Sequence, residues 1–248
     1  EPAHLGRYTK PFLYPGSTTP PVLTVSVQRA NQLTAALLRT KPAVLYVPLA
    51  ELAAHPAIAR QVYDETELAV ILPRVIWDRE MSQVRRQLDT VYDLGVRHVL
   101  SGNLGQFSLA RSRGFRVRGD FGLNIFNSRS MNWLRREDLV SACASFEMTL
   151  PQIRDLSKAV PLEMIVYGRL PLMLTENCIM KNRTGACICQ AQQTKLVDRT
   201  GEEFPILRDP GTCRNVILNG KKLYLLDKRQ TLRDHGLWAL RVQFTTEG

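Results

Sequence analysis

From Val22 onward, short apolar, β-branched runs alternate with longer amphipathic ones, and this rhythm constrains the chain more than any single motif. It is the pattern of repeated strand–helix units built on a parallel sheet. Eight runs are predicted as strands: residues 22–27, 43–47, 68–72, 96–100, 116–120, 139–146, 163–167 and 238–245. Between them, helical periodicity predicts helices over 30–38, from Leu49 towards Tyr63 with an interruption at Pro56, and over 79–92, 107–110, 130–134 and 150–156. Gly95 and Gly114 follow two of these helices as stop signals, and Thr149 is placed to cap a third.

Eight such units in 248 residues match the size of a closed barrel. An open doubly wound sheet would more often carry a Gly-rich phosphate loop after its first strand, and residues 28–30 hold none. The expected fold is therefore α/β, a (β/α)8 TIM-like barrel over residues 22–248, with a linker or N-terminal extension over 1–21. The Pro-rich approach between Pro11 and Pro21, the missing initial Met and the stop at Gly248 suggest a piece of a longer protein with flanking domains.

The rhythm breaks between strands seven and eight. Residues 195–207 read as strand, turn, strand, and 216–226 are split by Asn219-Gly220, a hairpin signal. A small cysteine-bearing β-hairpin insertion at about 178–230 is thus expected at one barrel mouth.

In such barrels the chemistry sits at the C-terminal ends of the strands. The polar residues there are Gln28, Arg74, Asn103, Asp120, Asn124, Glu147, Arg169 and Glu247. Asp120 lies in Gly119-Asp-Phe-Gly-Leu-Asn124, where two glycines let the backbone approach a ligand. Glu147 closes an otherwise apolar run, a setting in which a carboxyl group can move protons. Asp120 and Glu147 are therefore the general acid–base candidates, and Arg169 could clamp an anion through paired hydrogen bonds. Arg74, Asn103, Asn124 and Tyr167 are the candidate substrate contacts. Turn formation, helix capping, and an ion pair from Arg169 to Glu147 or Asp120 account for the same residues without catalysis.

Cys178, Cys187, Cys189 and Cys213 fall in the insertion, and four thiolates near β-turns can hold zinc or an iron–sulfur cluster. Their spacing is not that of a zinc ribbon, since one residue separates Cys187 from Cys189 while Cys178 and Cys213 each stand apart. Free thiols in a reducing compartment are the plainer reading. Cys143, between Ala142 and Ala144, reads as a small buried hydrophobe. The four histidines lie near no nucleophile-elbow motif, so a Ser/His/Asp arrangement finds little support.

Lys and Arg number 33 against 23 Asp and Glu, a formal net charge of +10 that attracts polyanions such as RNA. Charges scattered over a solvated surface explain much of the same excess. No apolar run reaches the length of a membrane span and residues 1–4 carry no signal pattern, so no membrane association and a cytoplasmic location are expected.

Glu163-Met-Ile-Val-Tyr-Gly-Arg-Leu-Pro-Leu-Met173, Thr175-Glu-Asn-Cys178, Asp198-Arg-Thr-Gly-Glu-Glu-Phe-Pro205 and Cys213-Arg-Asn215 together resemble peptidase family U32, the collagenase-like peptidases of unassigned catalytic type. The resemblance implies a barrel-like catalytic domain with an iron–sulfur cluster on cysteines of the insertion. Relatives of that kind hydroxylate RNA bases or a quinone precursor without molecular oxygen, the RNA case depending on prephenate. One departure stands out: Arg169 and Pro171 occupy positions where a small residue and a cysteine are usual, and the first cysteine comes later, at Cys178. The chain looks like the branch of larger family members. The expected function is iron–sulfur-dependent hydroxylation of tRNA or rRNA bases, with prephenate as co-substrate. A collagenase-like peptidase with a structural metal site and a non-catalytic RNA-binding module are the alternatives.

Overall fold

The computed structural model describes residues 13–186, 194–209 and 212–247. Seven strands rise in the same direction: β1 (Val22–Ser26), β2 (Val44–Pro48), β3 (Glu67–Ile71), β4 (His98–Ser101), β5 (Arg116–Gly119), β6 (Ser141–Cys143) and β7 (Leu162–Gly168). Helices α1 (Ala35–Arg39), α2 (Leu49–Ala54), α3 (Asp78–Asp93), α4 (Gln106–Arg111), α5 (Ser128–Arg136) and α6 (Leu150–Asp155) alternate with them.

The chain then leaves the barrel. Strands β8 (Pro171–Thr175), β9 (Thr194–Val197), β10 (Glu203–Arg208) and β11 (Asn215–Leu218), with α7 (Ile179–Thr184), build a separate antiparallel sheet in the order β8-β11-β10-β9. It returns through β12 (Leu223–Tyr224) and α8 (Arg229–Arg233) to β13 (Ala239–Gln243). β13 lies parallel between β7 and β1, pairing Ala239 with both Glu163 and Val22, and this closes an eight-stranded (β/α)8 barrel.

Local rules account for the elements. In α3, Val84, Leu88 and Val91 form the buried stripe, the Glu80 carboxylate accepts the Trp77 N–H at 3.0 Å, and Gly95 at φ +94° stops the helix. In α5, the Asn127 side chain accepts from the N–H groups of Arg129 and Ser130, and Met131 and Leu134 face the core. The main core lies between strands and helices and includes Val25, Leu45, Val47, Val70, Leu88, Val99, Val117, Ile153 and Val166. Burying side chains of this size stabilises by about 1.5–3 kcal/mol each. A second, smaller cluster of Val44, Tyr46, Ala69 and Leu100 sits apart from it.

Four expectations need correction. The predicted helix over 30–38 divides into a 3-10 turn at Ala30–Gln32 and α1, because the Thr34 hydroxyl accepts the Leu37 N–H and starts a new helix. Strand six covers only Ser141–Cys143 rather than 139–146. Its reach is limited because β12 pairs antiparallel with Tyr167 and Gly168 and so occupies the upper edge of β7. The insertion begins earlier than expected, at β8, to which no strand was assigned. The turn at Asn219-Gly220 does not close a hairpin, since β11 pairs with β8 while β12 pairs with β7. Gly168, at the junction, has φ +124°, and a Cβ there would lie 2.2 Å from the Gln243 carbonyl oxygen.

Candidate active site

Strand alternation sends polar side chains into the barrel as well as apolar ones, and several of their bonds, such as Arg118 to Glu67 and Glu163 to Tyr46, join strands that are not neighbours. Nearer the end where the strands begin, the Arg118 guanidinium donates two hydrogen bonds to Glu67, both at 2.9 Å, and one to Ser141 Oγ at 2.8 Å. It also stacks over Trp238, 5.0 Å from the ring centre. His98 Nδ1 lies 3.2 Å from the same glutamate, and burial pushes the imidazole below its ordinary pKa.

Above this layer is a second. Arg241, 1% exposed, donates from Nη1 to Asp120 at 2.6 Å, from Nε to Glu163 at 3.0 Å, and again to Glu163 from Nη2. The other Glu163 oxygen accepts from Thr24 Oγ1 and from the Tyr46 hydroxyl at 3.2 Å. Burial works against the guanidinium, but Glu163 and Asp120 outweigh it and hold its pKa well above the usual value. Cys143 is fully buried beside Arg241, Glu163 and Asp120, and burial pushes its thiol up. It therefore faces the polar interior, while its neighbours Ala142 and Ala144 pack into the outer core.

A cleft of about 900 Å³, open mouth included, lies over this floor. Ser26, Gln28, Arg74, Asp120, Phe121, Arg241, Gln243 and Thr245 line it from the barrel, and Pro171, Leu207, Arg208, Asp209, Val216 and Leu218 line it from the inserted sheet. The sheet is its roof.

Asp209 follows β10, where its N–H donates to the Arg214 carbonyl at 2.9 Å and its carboxylate accepts from Thr212 Oγ1 at 3.0 Å. Burial pushes this carboxyl above its ordinary pKa, against the pull of Thr212, Arg214 and Arg74. A buried carboxyl with a raised pKa in a cleft is suited to proton transfer. The roof is fastened through Arg214, 2% exposed, which donates to both Glu80 oxygens at 2.8 and 2.9 Å, to Glu176, and to the Val75 carbonyl at 3.2 Å. Trp77 Nε1 donates to Glu176 at 2.7 Å and completes the joint with α3.

Of the residues singled out in the sequence, Gln28, Arg74 and Asp120 line the cleft. Asp120 is paired with Arg241 rather than with Arg169. Arg169 donates from Nη1 to the carbonyls of Asn219, at 2.9 Å, and Gly220, so it braces the turn before β12. Glu147 is exposed on a turn after Cys143, beyond the end of strand six. Asn103 Oδ1 accepts the Gly105 N–H at 2.9 Å, Asn124 takes a left-handed φ of +52°, and both are exposed. The Tyr167 hydroxyl is 3.1 Å from Glu247 and 3.4 Å from Lys222 Nζ.

Cys178 is half-buried at the start of α7, its sulfur accepting the Lys181 N–H at 3.4 Å, and Cys213 is exposed between β10 and β11. The pairing of Thr175 with Asn215, and a 2.9 Å bond from the Ile179 N–H to Asn215 Oδ1, bring both cysteines to one end of the inserted sheet. Cys187 and Cys189 lie outside the described residues. Among the described residues no three His, Cys, Asp or Glu side chains gather as a metal site. The soft sulfur chemistry of the cysteines fits zinc or an iron–sulfur cluster.

Glu163, Arg241 and Asp209 escaped the sequence reading. The first two carried a signal: each is a lone charge at an inward position of an apolar strand, and in a barrel such a charge needs a partner across the interior. Asp209 carried none, because its burial depends on the roof.

The model of peptidase family U32 matches residues 49–246. No curated protein matches the chain significantly. Among solved structures, the chain is similar to the U32 peptidase Mk0906, at 10% identity and TM-score 0.47 over 96% of this chain and 98% of that one. It is similar to the Bacillus cereus spore cortex-lytic enzyme SleL, at 9% identity and TM-score 0.41 over 92% and 72%. A rubisco-like protein from Burkholderia fungorum shares 14% identity at TM-score 0.39 over 59% of this chain, which spans 49% of that protein's length. Among the described residues no helix is long and apolar enough to cross a membrane.

Proposed function

The chain belongs to peptidase family U32, and from that premise we propose that it is an enzyme working in the cleft between the barrel mouth and the inserted sheet. The observation that carries this reading is the buried Asp209, its carboxyl raised above the ordinary range by burial, over the Arg241–Asp120 floor of the cleft. Asp209 gives or takes the proton, Asp120 is fixed in place by Arg241, and Arg74 and Arg208 meet the anionic part of a substrate.

The reaction we favour is oxygen-independent hydroxylation of a tRNA or rRNA base, with prephenate as an anionic co-substrate. Cys178, Cys187, Cys189 and Cys213 would hold an iron–sulfur cluster, which supplies electron transfer when bound. A net charge of +10 favours RNA as the partner. Protein purified without oxygen is expected to contain iron and acid-labile sulfide that a Cys178→Ala, Cys213→Ala double variant lacks. Asp209→Asn should keep the iron and lose activity about 100-fold or more. Zinc alone, or no metal in either protein, would overturn the cluster.

Proteolysis in the same cleft is the second reading, favoured by the presence of two aspartates, Asp120 and Asp209, along its lining. Peptide hydrolysis abolished by Asp209→Asn in metal-free protein would establish it instead.

A further inference from the structure

Two side chains of the cleft are buried without a partner. Ser26, 3% exposed, closes β1, and Thr245, 4% exposed, lies just past β13; among the described residues neither hydroxyl has a hydrogen-bond partner. Both line the cleft, and they share one corner, because β1 and β13 are neighbours with Ser26 opposite Gln243. Two backbone N–H groups tie the corner together. The Phe244 N–H donates to the Ser26 carbonyl at 2.8 Å, and the Thr245 N–H donates to Glu247 at 2.7 Å. Leaving such groups unsatisfied is costly, so a buried pair facing a cavity marks the place where a ligand supplies the missing bonds.

The surroundings decide the chemistry of that ligand. Beneath the corner one buried cation, Arg241, faces two carboxylates, Asp120 and Glu163. An anionic group is repelled from this depth, whereas a neutral hydroxyl both donates to and accepts from Ser26 and Thr245. The carboxamides of Gln28 and Gln243 line the same corner, and Phe121 offers an apolar face. Positive charge belongs to the cleft walls, at Arg74 and Arg208. A ligand matched to all of these has vicinal hydroxyls at one end and an anion at the other.

We propose that the corner formed by Ser26, Thr245, Gln28 and Gln243 is a subsite for the hydroxyls of a phosphorylated sugar, with Arg74 and Arg208 receiving the phosphate. Under the RNA reading above, on which this proposal rests for its natural ligand, the sugar is a ribose and the corner tells RNA from DNA by the 2′-hydroxyl. The same chemistry would take a free sugar phosphate.

Calorimetric titration of the whole protein with ribose 5-phosphate and 2-deoxyribose 5-phosphate, and with single-stranded RNA and DNA of one sequence, tests it. The ribo form of at least one pair should bind about tenfold tighter, the worth of roughly one good hydrogen bond. Preference in the sugar phosphates alone names the free molecule as ligand, and preference in the strands names RNA. In a Ser26→Ala, Thr245→Val variant the preference should fall to about one while thermal stability does not drop and iron content stays unchanged. Equal affinities in both pairs, no binding of any probe, or a preference that survives in the folded variant would overturn the subsite. Iron and sulfide present under any of these results would leave the cluster reading standing, so the two failures are distinguishable.

Discussion

Arg241 answers for two carboxylates at once, and the interior of the barrel depends on it. Removing one member of a buried ionic group strands the others without a counter-charge, at a cost of about 3–5 kcal/mol. Arg241→Met is therefore expected to lower the urea unfolding midpoint by that equivalent, and adding Glu163→Gln to the same chain should recover part of the loss. If the single variant melts like the parent, the ion group is not what holds the interior. The two charges were visible in the sequence as polar interruptions of apolar strands. Their partnership was not, since 78 positions separate them. Asp120's place on the cleft lining was legible because two glycines frame it, whereas nothing local in the sequence told that Arg169 would bond two backbone carbonyls across the turn before β12.

Among the elements, the eight barrel strands were legible because apolar periodicity is a local property and each run carries its own. The inserted sheet was legible only in part. The β9–β10 hairpin was expected, with its turn held by the Asp198 carboxylate accepting from the N–H groups of Thr200 and Glu202. The pairing of β8 with β11 is long-range, and the Asn-Gly signal between β11 and β12 marks a reversal of the chain without a ladder across it. The roof meets α3 through Arg214, Glu80 and Glu176, a joint separable from the barrel's own core. Arg214→Gln should make the 171–224 segment at least about tenfold more susceptible to limited proteolysis while the barrel's unfolding midpoint shifts much less than in Arg241→Met. Equal protease resistance would show that the joint does not hold the roof.

At the level of the whole molecule the barrel is closed at the seam where β13 enters between β7 and β1. Glu247 sews it. Its carboxylate meets Lys222 at 2.8 Å, the Tyr167 hydroxyl at 3.1 Å and the Thr245 N–H at 2.7 Å. Burial alone would raise this carboxyl, but the hydrogen bonds from Lys222 and the backbone overcome it and hold its pKa down at about 2. A carboxylate depressed in the folded state stabilises at pH above its ordinary value and loses that contribution as pH falls through the folded value, here between about 4.5 and 2. After allowance for partial solvent screening the effect is on the order of 2 kcal/mol. Urea unfolding at pH 6 and pH 2.5 should show Lys222→Met less stable than the parent at the higher pH, with the gap reduced to less than half at the lower; a gap that stays constant with pH would contradict the seam.

The same seam sets the order of assembly. β1 and β13 hydrogen-bond across a sequence separation of 216 positions, and the whole roof is threaded before β13 exists to fill the gap. Contacts of such long range are slow to form, because the chain between them must first be confined. On a ribosome, strands one to seven and the roof emerge before β13, and the hydroxyl corner, the charged floor and the cleft above them are completed together, when that strand docks.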